Sequence, residues 1–94
     1  MAIKIGKPTI IKAAGNKPKI IEEYIGCVTS QTTDLSIAHM KSPAGWEEPG
    51  QKPEFDEYTI VLQGMLRVKT KDNVLDIRAG EAVIVNKNKW VQYA

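Results

Sequence analysis

Cysteine and histidine occur once each in these 94 residues, at Cys27 and His39, and phenylalanine once, at Phe55. A single cysteine excludes an internal disulfide and a cysteine-based zinc site, and Cys27, in an apolar run, is expected to act as a small buried hydrophobe. No stretch approaches the roughly 18 consecutive apolar residues of a membrane span. The opening Met-Ala-Ile-Lys-Ile-Gly-Lys-Pro lacks the apolar core of a signal peptide, so the expectation is a cytoplasmic protein with no membrane partner. A dominant charge is missing too. Thirteen Lys and Arg against eleven Asp and Glu leave +2, spread along the chain, and that balance predicts no nucleic-acid partner. No segment keeps a helical period, and nothing marks a linker or a repeat, so one domain over 1–94 is expected.

What is present is β-rich sequence. Apolar residues make up 43% of the chain, enough for a core, and they fall in short runs between turn residues, which predicts an all-β fold. The runs are Thr9 to Lys12, Lys19 to Val28, Leu35 to Met40, Glu57 to Leu62, Met65 to Thr70, Val74 to Arg78, Ala82 to Val85 and Trp90 to Tyr93. Leu66 to Thr70, the turn Lys71-Asp72-Asn73 and Val74 to Arg78 read as a hairpin. Its Leu66, Val68, Leu75 and Ile77 lie on one face, and its Arg67, Lys69, Asp76 and Arg78 lie on the other, where opposite charges suit cross-strand pairing. The Pro43 to Pro53 stretch holds too many breakers for a strand and is expected to be a loop.

From Gly45 to Gly64 the spacing of Gly, Glu and Gly matches G-x5-H-x-H-x3-E-x6-G, with Glu57 in the Glu position and Gln51 and Pro53 in place of the two His. Gly80 to Ala94 has the outline of G-x5-P-x-G-x2-H-x3-N, again without its His: a glycine turn, a buried strand, an Asn-rich turn able to take positive φ, and Trp90. On these segments, 45–64 and 80–94, the chain resembles the cupins, over about half its length. The resemblance implies a double-stranded β-helix, or jelly-roll barrel, with a pocket at one mouth, and a homodimer. The chain stops one residue short of the second motif's end, which leaves a barrel edge for N-terminal strands or a partner chain to cover.

Several residues are candidates for chemistry. Metal sites of this kind use three or four imidazole and carboxylate ligands; here the matched positions supply Glu57 and Gln51, with His39 as the single imidazole, so any metal would rest on Glu57, Gln51 and His39 and no tightly held cofactor is expected. Glu57, pointing into an apolar interior, must be paired, metal-bound or protonated. His39 shares a face with Leu35 and Ile37; if it meets Glu57 the two form an acid–base pair. Gln51 is read as an orienting partner of Glu57. Trp46, Trp90 and Tyr93 either line a pocket mouth or pack in the core or a dimer interface, and Phe55 is grouped with them. The resulting expectation is a cupin that binds a small polar metabolite through Gln51, Glu57, His39, Trp46, Trp90 and Tyr93. The alternative is an isomerase, epimerase or lyase using Glu57 and His39, and a third reading is a partner protein working through its sheet edge.

Overall fold

The computed structural model describes residues 1–94, and every regular element in it is a β-strand. There is no helix, hence none long and apolar enough to cross a membrane. The eight strands are β1 Thr9–Ile11, β2 Ile20–Ile25, β3 Ile37–Lys41, β4 Glu57–Ile60, β5 Met65–Thr70, β6 Val74–Arg78, β7 Ala82–Val85 and β8 Val91–Tyr93. Each falls within, or one residue beyond, a run expected from the sequence. The chain divides into two compact units, Met1–Trp46 and Glu47–Ala94.

In the first unit the strands form one antiparallel sheet in the order β1-β2-β3. Ile10, Glu22 and His39 stand in one cross-strand row, and directly paired residues share a face of the sheet. The end of β2 comes earlier than its apolar composition suggests. The Glu23 carboxylate accepts from the Thr29 amide at 3.1 Å and the Thr29 hydroxyl at 2.9 Å, while the Gly26 carbonyl accepts from the amides of Ser30 and Thr32. These bonds curl the chain away from the ladder. Cys27 sits in that curl and is exposed, so it is not the buried hydrophobe expected of it. The unit's buried anchor is Trp46, 2% exposed. Its indole lies against Gly15, where a Cβ would collide with the ring. Its Nε1 donates to the Ala14 carbonyl at 3.3 Å, and the Lys19 ammonium stands 3.8 Å from the ring centroid, a cation–π contact.

The second unit holds a ribbon of β4 with β7 and an antiparallel sheet in the order β6-β5-β8. Its core is Val61, Val68, Ile77, Val85, Val91 and Tyr93, with Val68 and Val91 completely enclosed; full burial of such a side chain contributes about 1.5–3 kcal/mol. The expected hairpin is present. Leu66 pairs with Ile77 and Val68 with Leu75 on the apolar face, and Arg67 pairs with Asp76 on the other. There the guanidinium grips the carboxylate at two points, 2.8 and 3.2 Å. The segment after Trp46 is a loop, as its breakers predict, and it runs beside β8 through a two-way backbone bridge between Gln51 and Val91.

Strand pairing is confined to these three sheets and closes no barrel. The all-β expectation therefore holds at the level of antiparallel sheets. The closed jelly roll does not follow from it, because no ladder joins the β4–β7 ribbon to another sheet.

Candidate functional site

The sequence candidates are distributed over the two units. In the first, His39 Nδ1 lies 3.0 Å from Glu22 Oε1, with the Lys41 ammonium 3.8 Å from the same oxygen. Leu35, Ile37 and His39, expected on one face, are all exposed, so the imidazole joins a surface row of charges. In the second unit the Tyr93 hydroxyl donates to Glu57 Oε1 at 2.9 Å. Glu57 thus finds its partner in a phenol. Burial, followed by the hydrogen bond to Glu57 and the negative charges of Glu57 and Glu48, holds the Tyr93 hydroxyl above the ordinary phenol range. Gln51 Nε2 donates to Glu48 at 3.2 Å, so the carboxylate it orients is Glu48. Trp46 is a core residue. Phe55 is 63% exposed and Tyr58 72% exposed, the latter pointing outward as strand alternation predicts. No group of three or more His, Cys, Asp or Glu side chains converges that could hold a metal ion, and Glu57, Gln51 and His39 each engage a different side chain.

The second unit also carries a groove of about 820 Å³. Leu75, Val83 and Ile84 line it above the buried Val68 and Val85, together with residues from three separate segments: Lys52 from the loop before β4, Lys71 and Asp72 from the β5–β6 turn, and Asn86, Asn88, Lys89 and Trp90 from the turn before β8. Three lysines face one aspartate, and none of the lysines is tied up in an ion pair. The last of these turns is held by backbone and side-chain bonds. The Lys87 amide donates to Asp56 Oδ1 at 2.8 Å, the Asn88 amide donates to the Pro53 carbonyl at 2.7 Å, and Asn88 itself has φ +64°, a left-handed conformation that asparagine tolerates better than most residues. Trp90 is 41% exposed, and its indole rests on Gly50 so closely that a Cβ there would enter the ring. Of these lining residues Trp90 alone was expected from the sequence to belong to a binding site. The lysines were visible only as members of polar turns, and nothing in their spacing along the chain shows that three turns meet.

No protein-family model matches the chain. Endoribonuclease YbeY of Myxococcus xanthus (strain DK1622), a curated protein, is 45% identical to it over 75 residues, which are 80% of this chain and 26% of the relative. The chain therefore spans about a quarter of the length of the relative it matches. That relative bears the name of a different family, which overturns the cupin resemblance drawn from the glycine spacing. The small-metabolite pocket and the cupin enzyme fall with it. The expectation of no nucleic-acid partner conflicts with this finding as well, since that relative is named an endoribonuclease.

Proposed function

We propose that this chain is an RNA-binding β-module of the endoribonuclease type, with the lysine-lined groove of the second unit as its contact surface and strand scission left to residues outside the matched quarter. The observation that carries the reading is the meeting of Lys52, Lys71 and Lys89 around one groove, opposed only by Asp72. Lysine ammonium groups without carboxylate partners are suited to phosphate oxygens, and such contacts supply most of the sequence-independent affinity for nucleic acids. The similarity to a quarter of a protein named as an endoribonuclease supports RNA as the polymer.

The division of labour rests on the side-chain inventory. Acid–base cleavage of RNA needs groups that act together on the attacking and leaving oxygens. Around the groove the ionisable groups are lysines and one aspartate, while Glu57 is hydrogen-bonded to Tyr93.

Anisotropy of a fluorescein-labelled RNA titrated with the full chain tests the reading. Binding at low salt is expected, and the triple substitution Lys52→Ala, Lys71→Ala, Lys89→Ala should weaken it at least tenfold. No binding, or a triple variant that binds as the parent does, would refute the groove. The labelled RNA should remain intact. Scission abolished by His39→Ala would instead locate chemistry at the His39–Glu22 pair.

A further inference from the structure

The lysines account for attraction to any polyanion, but they do not account for Trp90. Large aromatic side chains are ordinarily buried, as Trp46 is at 2% exposure, whereas Trp90 remains 41% exposed beside the three lysines. Its position is built. Gly50 gives the ring a flat seat that any other residue would fill, and the backbone bridge between Gln51 and Val91, with both N–H to O distances at 2.9 Å, clamps the residue after Gly50 to the residue after Trp90. An indole supported from below by backbone and open to solvent among lysines is the arrangement on which a nucleobase stacks, its flanking phosphates reaching the ammonium groups.

Resting on the RNA-binding reading above, we propose that Trp90, seated on Gly50, is a base-stacking platform, so that the groove takes an unpaired nucleotide. A duplex keeps its bases stacked on one another and presents phosphates and sugars, so it can use the lysines but not the indole. The apolar lining contributed by Leu75 and Val83 suits the face of a base and is unsuited to a hydrated backbone. Gly50 acts as a positioning residue, because it touches the ring and not the nucleotide.

The test compares three probes on the full chain: single-stranded hexauridylate, an RNA duplex long enough to stay paired and compared at equal phosphate concentration, and inorganic polyphosphate. Hexauridylate should quench the exposed indole and bind at least tenfold more tightly than the duplex. Trp90→Leu should cut hexauridylate affinity about tenfold or more and leave polyphosphate binding unchanged, and Trp90→Phe should recover part of the loss. Gly50→Ala should mimic Trp90→Leu by lifting the ring from its seat. Circular dichroism identifies a variant that has lost its sheets, and Trp90→Phe then serves in its place. Equal affinity for single strand and duplex, or hexauridylate binding indifferent to both Trp90 substitutions, would overturn the platform while leaving the lysine groove intact. Failure of both RNAs to bind would overturn the groove and the platform together.

Discussion

The hydroxyl of Tyr93 shows how much a single atom can carry. Tyr93 is 9% exposed and its Oη donates to Glu57 at 2.9 Å, so the bond satisfies two polar groups at the edge of the second core. Tyr93→Phe removes the donor and leaves a partly buried carboxylate without it, at an expected cost of about 1–2 kcal/mol, measurable as a lower urea midpoint. The same residue sets an alkaline limit. Its folded-state pKa lies above the ordinary phenol value of about 10. The folded protein therefore holds this proton more tightly than the unfolded chain does, and its stabilising effect is complete below about pH 10 and lost as pH climbs toward the folded-state value. Thermal melts from pH 9 upward should show the parent losing stability more steeply than Tyr93→Phe. Glu57 was legible in the sequence as an inward carboxylate in need of a partner. Its partner was not, because Tyr93 is 36 residues away and only the placement of β8 brings the two together.

Strands were the most legible elements, for a physical reason. Alternation of apolar and polar side chains is a local property, and the β5–β6 hairpin follows it residue by residue, including the Arg67–Asp76 pair. Strand ends depend on capping. The run Lys19 to Val28 yields a strand that stops at Ile25 because Glu23 accepts from Thr29 and diverts the chain. The turn from Asn86 to Lys89 is the element on which the proposed RNA contact depends. Its left-handed residue, Asn88 at φ +64°, fixes the course of the chain into Lys89 and Trp90. A β-branched residue at such a φ costs about 1–3 kcal/mol. Asn88→Val is therefore expected to lower stability by that amount and to weaken RNA binding, whereas Asn88→Gly should preserve both. Chemical denaturation and anisotropy on the two variants separate these outcomes.

For the molecule as a whole, net charge and glycine spacing both misled, and each did so because it averages over what the fold sorts. The value +2 combines a groove holding three lysines and one aspartate with the other acidic residues, which lie elsewhere. Engagement of three phosphates of a single strand gives a logarithmic salt slope near −2, so raising salt from about 50 to 200 mM should lower RNA affinity about twentyfold. A flat response would show that the lysines make no phosphate contact. Gly45 and Gly64, whose separation suggested a ligand-bearing motif, have φ of +79° and +77°. Both are turns that only glycine enters easily, so their spacing records where the chain reverses and says nothing about what is bound between. The β4–β7 ribbon has a different consequence at this scale. In it β4 pairs with β7 alone, and the run Tyr58-Thr-Ile-Val-Leu62 has no charge, proline or glycine, with Tyr58, Ile60 and Leu62 each more than two-thirds exposed. Such a run is a template for cross-β stacking between chains, held in check by flanking charge. On its N-terminal side that charge is Asp56 and Glu57, the same two carboxylates that accept from Lys87 and Tyr93. Replacing either one would loosen the fold and remove a gatekeeper against fibrils in a single step.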